Sequence, residues 1–326
     1  MPELLPYIIA TCVGLFLLVW SADRFVTGAT GLARRLGVSP LVIGLTIVAF
    51  GTSAPEMLVS AMAAWEGNSG IAIGNAIGSN IANIGLVLGV AALIVPMTVQ
   101  SCTLRREFPL LIAVTLATLA LLWDRDLSRF DGLLLITGLG ALLLWTVHLA
   151  RASAPNDPMV CEFTAEMPDP MPRARTGWLL ISGLVLLLIA SRLLVWGAVG
   201  IAEGLGVSEL VIGLTIVAAG TSLPELATSV AAARKGEHDI VIGNVVGSNL
   251  FNLLAVLGVA GTVGPSGFDT AVLTRDFPLM IALTVALFFM AGDFHRKGPG
   301  RVTRVEGAML LAVFAAYQGW LFVNAS

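Results

Sequence analysis

The chain has 326 residues, of which 57% are hydrophobic and only 12% are charged, and its formal net charge is −3. Soluble domains carry about twice that charged fraction, so the composition excludes an ordinary water-soluble protein and indicates that the bilayer is the solvent. The three cysteines and three histidines are scattered, which excludes a thiolate or imidazole metal centre. We expect no cofactor, no nucleic-acid partner and no obligate protein partner.

Ten apolar runs are predicted to cross the membrane, because each crossing needs about 20 mostly apolar residues. In chain order they centre near Val13, Ile47, Val87, Leu116, Leu142, Val185, Ile216, Ala255, Thr284 and Ala312. The first run starts at Leu4 without a basic leader, so we interpret it as a retained span. The long polar stretch at 151–175 is rich in proline and is predicted to be a linker.

The second half of the chain repeats the first at one fixed offset. Residues Gly37–Glu56 return as Gly206–Glu225 with seventeen of twenty positions identical, 169 residues later. The same offset relates two further pairs of segments, Gly74–Asn83 with Gly243–Asn252 and Arg106–Leu110 with Arg275–Leu279. A duplicated unit is therefore predicted, with a first five-helix repeat at 1–150, a linker at 151–175 and a second repeat at 176–326.

An odd number of spans in each unit requires the second unit to enter the membrane from the opposite side, which predicts inverted repeats. The loop charges support this orientation. If the N-terminus is outside, the cytoplasmic loops hold thirteen Arg and Lys residues and the external loops three. We therefore expect a multi-pass protein of the cell (inner) membrane, with both termini outside and the linker cytoplasmic.

The motifs GTSAPE (Gly51–Glu56) and GTSLPE (Gly220–Glu225) each place a proline and a glutamate inside an apolar helix. Proline has no N–H and its ring crowds the carbonyl four residues earlier, so both helices should break near the midplane. A carboxylate at that depth costs at least about 3 kcal/mol and usually marks an ion pathway. The structural alternative is a neutral glutamic acid that only locks helices together.

The third span of each unit adds polar residues at a spacing of four, which places them on one helix face. These are Asn75, Ser79 and Asn83 in the first unit, and Asn244, Ser248 and Asn252 in the second. Hydrogen bonding between helices is the alternative role for them. Carboxylate, amide and hydroxyl oxygens without sulfur or nitrogen ligands favour Ca²⁺ or Na⁺.

The paired segments GTSAPE…GNAIGSNIAN and GTSLPE…GNVVGSNLFN resemble the repeats of the calcium/cation antiporter superfamily, specifically the prokaryotic sodium/calcium exchangers. The resemblance covers nearly the whole chain. It implies an all-α integral membrane fold of ten transmembrane helices, arranged as two inverted five-helix repeats with broken helices at the midplane. It also implies alternating access and counter-transport of calcium driven by the sodium gradient.

By that resemblance, Glu56 and Glu225 would be the central calcium ligands, shared with sodium, and Asn83 and Asn252 would line the middle of the site. Backbone carbonyls for calcium would come from Thr52 and Thr221. The flanking sodium sites would be completed by Ala49, Ser53, Ser79, Ala218, Ser222 and Ser248. Some members of the family carry Asp at the position of Asn252, and this departure argues against co-transport of potassium.

Three other functions compete with a sodium/calcium antiporter. A proton-coupled calcium or cation exchanger could use the same carboxylates, and only the sodium dependence of flux separates the two. An intramembrane enzyme would use the glutamates as acid and base, but it also needs a histidine, an aspartate pair or a nucleophile at the same depth. A scaffold without transport does not explain two symmetric broken helices. We therefore expect a transporter rather than an enzyme.

Overall fold

The computed structural model describes residues 4–67, 69–99, 101–152, 171–204, 218–292 and 300–325, and most of them are helical. The helices of the first half are α1 (Leu5–Leu36), α2 (Pro40–Ile43), α3 (Ala49–Thr52), α4 (Ala54–Trp65), α5 (Ser69–Ala82), α6 (Gly89–Ile94), α7 (Ser101–Leu121) and α8 (Arg129–Ala152). Those of the second half are α9 (Arg173–Gly204), α10 (Ala218–Thr221), α11 (Leu223–Arg234), α12 (His238–Phe251), α13 (Leu257–Val263), α14 (Phe277–Ala291) and α15 (Arg304–Ala325).

Four segments of the described chain are π-helical. Three of them join two helices without a loop, namely Gly44–Val48, Asn83–Leu88 and Asn252–Val256, and the fourth, Val272–Asp276, leads directly into α14. Each gives the chain a wider turn, and such segments are frequent at functional sites. Two of them, Asn83–Leu88 and Asn252–Val256, begin at positions related by the sequence repeat. The sequence pattern did not predict them, because a π turn changes the hydrogen-bond register and leaves the residue types unchanged.

Seven helical stretches in the described chain are long and apolar enough to cross a membrane, and the bent pair formed by Pro40–Thr52 and Ala54–Trp65 makes an eighth. A mostly helical chain with several candidate membrane spans is therefore confirmed. The predicted run near Leu116 is α7, which carries Arg105, Arg106 and Glu107 in its first two turns and so is not among the seven. The run near Ile216 and most of the linker lie outside the described residues.

Burial separates central spans from peripheral ones. Every residue at 239–258 is buried and most of Ile71–Ile94 is buried as well, whereas most of Arg304–Val323 is exposed. In a membrane protein the exposed helices face lipid, so their apolar surfaces need no protein partner. The two central stretches contain the repeated GNxxGSN segments, and the polar residues of these segments are therefore held away from lipid.

The first helices of the two halves, α1 and α9, pack closely along each other, because glycines let their backbones approach. Gly14 faces Leu194, and Gly183 faces Phe25. At the offset of 169, Gly183 is the counterpart of Gly14 and Leu194 is the counterpart of Phe25. The two contacts are therefore the same contact with the roles of the two halves exchanged. Gly28 also faces Leu180, earlier along α9, which makes the two helices antiparallel.

Two short antiparallel strand pairs connect the halves outside the helices. Strand β1 (Met97–Val99) pairs with β4 (Gly300–Val302), with Thr98 opposite Arg301. Strand β2 (Asp126–Leu127) pairs with β3 (Ser266–Gly267). In both pairs one strand comes from each half of the chain, so neither half can form these hydrogen bonds alone.

Candidate functional site

Both predicted helix breaks are present. Helix α3 ends at Thr52, Ser53 leaves the helical conformation (φ −81°, ψ 3°), and α4 begins at Ala54. In the second half α10 ends at Thr221, and Ser222 takes nearly the same conformation (φ −86°, ψ 6°) before α11. The break precedes each proline by two residues, because proline is well tolerated in the first turn of a helix that starts after the break.

A hydroxyl from another helix satisfies one of the carbonyls that the prolines release. Pro224 cannot donate to the Gly220 carbonyl, and Ser191 Oγ on α9 donates to that oxygen instead, at 3.2 Å. The counterpart of Ser191 in the first half is Ala22, which has no donor. The two breaks therefore share a backbone conformation but are held differently.

The two glutamates lie in the first turns of α4 and α11, directly after the breaks, and each is 1% exposed. A helix N-terminus favours negative charge there. The two motifs also meet, because Ser53 Oγ donates to Glu225 Oε1 at 3.1 Å. The first broken helix further contacts α12, where Thr52 Oγ1 donates to Asn244 Oδ1 at 3.2 Å.

The first asparagine of each predicted trio holds a broken helix in place. Asn75 Nδ2 donates to the Glu56 carbonyl at 3.3 Å and to Ser60 Oγ at 3.0 Å. In the second half, Asn244 Nδ2 donates to the Glu225 carbonyl at 3.3 Å and to Ser229 Oγ at 3.0 Å. For these amide nitrogens the structure shows the alternative role, hydrogen bonding between helices.

The last asparagine of each trio bonds to an asparagine of the other half. Asn83 Nδ2 donates to Asn249 Oδ1 at 3.0 Å, and Asn252 Nδ2 donates to Asn80 Oδ1 at the same distance. At the offset of 169, Asn80 corresponds to Asn249 and Asn83 to Asn252. The two bonds are therefore the same bond with the roles of the two halves exchanged, like the glycine contacts of α1 and α9. The side-chain nitrogens of Asn83 and Asn252 are used in these bonds, and their Oδ1 atoms are buried without a hydrogen-bond partner.

The other predicted site residues are mostly buried in the same region. Exposure is 5% or less for Ala49, Thr52, Ser53, Ser79, Ser222 and Ser248. Thr221 is half-buried and has contacts of its own. Ala218 lies in α10, and the surroundings of its side chain are outside the described part of the structure. Hydrogen bonds join the two motifs to each other and to the GNxxGSN segments.

The buried oxygens without partners indicate what this centre can bind. In the described chain, eight buried side-chain polar atoms have no hydrogen-bond partner, and all eight are oxygens. Six belong to predicted site residues: Glu56, Glu225, Asn83, Asn252, Ser222 and Ser248. An unpaired buried polar group costs about 1–3 kcal/mol, and a hard cation compensates several such oxygens at once.

The unpartnered buried atoms of the predicted site residues are all oxygens. Among the residues that the structure describes, no three His, Cys, Asp or Glu side chains come together to hold a metal. Two carboxylates with neutral amide and hydroxyl oxygens suit Na⁺ or Ca²⁺, which accept flexible oxygen ligation. A cation held by so few charges can also be released, as transport requires.

Comparison with known proteins identifies the family. Residues 6–148 and 176–323 each match the sodium/calcium exchanger protein family. The chain belongs to this family. Its members are transporters rather than enzymes, and the predicted membership of the calcium/cation antiporter superfamily is thereby confirmed.

Three relatives of this exchanger match it over almost its whole length. A putative antiporter, CaxA, of Alkalimonas amylolytica is 51% identical over 95% of this chain and 97% of its own. The inner membrane protein YrbG of Escherichia coli is 41% identical over 95% of both chains. The sodium/calcium exchanger MaX1 of Methanosarcina acetivorans is 32% identical over 95% of this chain and 97% of its own.

The exchanger fold also matches a solved structure. The sodium-calcium exchanger NCX_Mj, in crystals soaked with Na⁺ and Sr²⁺, superposes with a TM-score of 0.82 at 33% identity. The superposition covers 96% of this chain and 97% of that one. Agreement at that coverage confirms the overall architecture of the helices described above.

Sequence reasoning missed three groups of residues that position the exchanger site. Asn80 and Asn249 orient the central amides, Ser60 and Ser229 accept from the outer amides, and Ser191 holds the Gly220 carbonyl. The first two pairs carry a signal, because each recurs at the offset of 169. Ser191 carries none, because its counterpart is an alanine.

Proposed function

We propose that this protein exchanges Ca²⁺ for Na⁺ across the membrane by alternating access and needs no potassium. The observation that carries the proposal is the set of six unpartnered buried oxygens, two of them on the carboxylates Glu56 and Glu225 and four on neutral amides and hydroxyls. Membership of the sodium/calcium exchanger family supports it. Two negative charges match one Ca²⁺ or a small number of Na⁺.

In this proposal Glu56 and Glu225 bind Ca²⁺ directly and share their oxygens with Na⁺. The carbonyls of Thr52 and Thr221, at the last residue before each break, complete the calcium ligands. Sodium also uses the region lined by Ala49, Ser53, Ser79, Ala218, Ser222 and Ser248. The central amides of Asn83 and Asn252 supply neutral oxygens, which solvate a cation or a water without adding charge.

The architecture that fits this function has ten spans in two inverted units. The eight candidate spans would be completed by α7 and by the broken helix that ends with α10 and α11. The separate family matches at 6–148 and 176–323 support units at 1–150 and 176–326 joined by a linker at 151–175. The antiparallel packing of α1 on α9 supports their opposite orientation.

We expect the termini and Glu66 outside the cell and the linker inside, in the inner membrane. The loop charges support this orientation, and the relative YrbG is described as an inner membrane protein. Cys161 in the linker should resist an impermeant thiol reagent in intact cells and react after the cells are opened. Single cysteines introduced at Glu66 should show the reverse pattern. Labelling of Cys161 in intact cells would invert the assignment.

Sodium should drive calcium uptake without potassium, because neutral Asn83 and Asn252 leave no third negative group to compensate a K⁺. We expect Ca²⁺ uptake into sodium-loaded proteoliposomes to continue when choline replaces K⁺ on both sides. Uptake should stop when choline replaces the internal Na⁺. Exchange should generate a membrane potential if more than two Na⁺ move per Ca²⁺.

The same vesicles separate the alternatives. Uptake that collapses without K⁺ and returns with it would contradict the role given to Asn252. Uptake driven equally well by an imposed proton gradient in the absence of Na⁺ would instead favour a proton-coupled exchanger. Vesicles without protein provide the background, and an ionophore that dissipates the Na⁺ gradient should reduce uptake to that level.

A further inference from the structure

One ion pair connects the first helix of the first half to the second half. Lys235 follows α11 directly, and its Nζ lies 2.7 Å from Asp23 Oδ1 on α1. Lys235 Nζ also donates to Thr27 Oγ1 at 2.9 Å, and Thr27 Oγ1 donates to the Asp23 carbonyl at 2.7 Å. Through these bonds the end of α11 is held against α1, and the two helices pack along each other.

The repeat offset converts this pair into another pair with both charges reversed. At 169 residues, Asp23 corresponds to Arg192 on α9, and Lys235 corresponds to Glu66 after α4. The two helix ends also share a backbone conformation, because Gly67 and Gly236 follow with φ of 80° and 76°. If the halves are related by a two-fold axis, Glu66 lies relative to Arg192 as Lys235 lies relative to Asp23. The charges are reversed, because the helix-end residue is acidic in the first half and basic in the second.

The structure forms only the first of these pairs. Glu66 and Arg192 are both exposed, and no ion pair joins them in the described part of the chain. Helix α9 likewise does not pack along α4 in the described residues as α1 packs along α11. The contacts of α1 on α9 and of Asn83 and Asn252 obey the two-fold relation, so this pair marks a place where the symmetry is broken.

In a protein built from two related halves, an asymmetric contact can be formed on either half. If the two halves exchange their conformations, Asp23–Lys235 opens and Glu66–Arg192 closes. In inverted repeats, such an exchange changes the side from which the central site is reached. The orientation expected from the loop charges places Lys235 on the cytoplasmic side and Glu66 outside, so each pair would close one side.

We propose that Asp23–Lys235 and Glu66–Arg192 are alternating ion pairs, the first formed when the site is closed to the cytoplasm and the second when it is closed to the outside. This inference rests on the proposed exchange by alternating access. It adds four residues to the transport cycle, none of which binds the transported ions. Their role is to stabilise the two closed sides in turn.

Cross-linking tests whether the second pair ever forms. In a variant with Cys12, Cys102 and Cys161 replaced by serine, Glu66→Cys with Arg192→Cys should be joined by a short cleavable bifunctional thiol reagent. Asp23→Cys with Lys235→Cys should be joined as well. Glu66→Cys with Lys235→Cys is the control and should not react. Either cross-link should stop Ca²⁺ exchange, and cleavage of the reagent should restore it.

Charge exchange tests whether the contact is electrostatic. Glu66→Arg or Arg192→Glu alone should slow exchange by about fivefold, because each places two like charges where the proposed pair would close. The double variant should return to within about twofold of the unmodified protein. A purely structural role for either residue would not be rescued by reversing its partner.

Two results would overturn the proposal. One is that Glu66→Cys with Arg192→Cys gives no more cross-linked product than the control Glu66→Cys with Lys235→Cys, whether in Na⁺, in Ca²⁺ or during turnover. The other is that the variant carrying both Glu66→Arg and Arg192→Glu exchanges Ca²⁺ no faster than the slower of the two single variants. Failure of the proposed function looks different, because unmodified protein would then show no Na⁺-dependent Ca²⁺ uptake, while cross-linking of purified protein would still report the contact.

Discussion

The Glu56→Gln and Glu225→Gln variants should each fold and insert normally but lose calcium exchange. Glutamine keeps the size of the side chain, and its amide oxygen can still accept the hydrogen bond that Ser53 gives to Glu225. It removes one of two charges that compensate a desolvated divalent ion. An uncompensated charge at the bilayer centre costs about 3 kcal/mol or more, so the rate should fall by roughly a hundredfold at least.

The measurement is sodium-driven Ca²⁺ uptake by purified protein at equal reconstitution, with thermal unfolding to verify the fold. Glu306→Gln is the matched control, since Glu306 lies at the start of α15 and accepts bonds from Thr303. That variant should exchange normally. Substantial uptake through either site variant would show that the glutamates are structural, and it would leave the six unpartnered oxygens without their proposed ligand.

Gly247→Ala should have the second largest effect, because α12 approaches the first broken helix too closely for a side chain. A Cβ at Gly247 would lie 2.7 Å from the Leu45 carbonyl oxygen and 2.7 Å from Ala49 Cβ. Overpacking of this kind costs about 1–3 kcal/mol. The strain falls on Ala49, a predicted sodium-site residue, so we expect a lower melting temperature together with a weaker apparent affinity for Na⁺.

Gly140→Ala is the control for this prediction. Gly140 lies in the exposed part of α8, and a Cβ there would meet no other atom within 4 Å. Alanine is the better helix former, so that variant should be as stable as the unmodified protein or slightly more stable. If Gly247→Ala leaves both the melting temperature and the sodium dependence unchanged, the close approach of α12 is not a requirement of the site.

The sequence predicted the parts of this molecule that depend on one segment at a time. Pro55 and Pro224 predicted the two breaks, and the spacing of four predicted one polar face in each half. Each of these signals is local, since it depends on backbone chemistry or on helix periodicity. They also survive duplication, so every one is seen twice.

Contacts between the segments were not predictable in the same way. The bond from Ser191 to the Gly220 carbonyl and the bond from Ser53 to Glu225 depend on how distant helices meet. Asn80 and Asn249 stood in the repeated segments, but nothing in their spacing distinguishes an amide that orients another amide from one that faces an ion. Nor did two nearly identical motifs indicate that Ser222 would lack the partner that Ser53 has.

The exchanged contacts of α1 and α9 have the form of a homodimer interface. Gly14 faces Leu194 and Gly183 faces Phe25, as two copies of one chain meet about a two-fold axis. A true homodimer cannot assign opposite charges to its two ends, because a change in one subunit appears in both. Covalent linkage removes that constraint. Each copy of an ancestral position can then diverge separately, and Asp23 and Arg192 have done so.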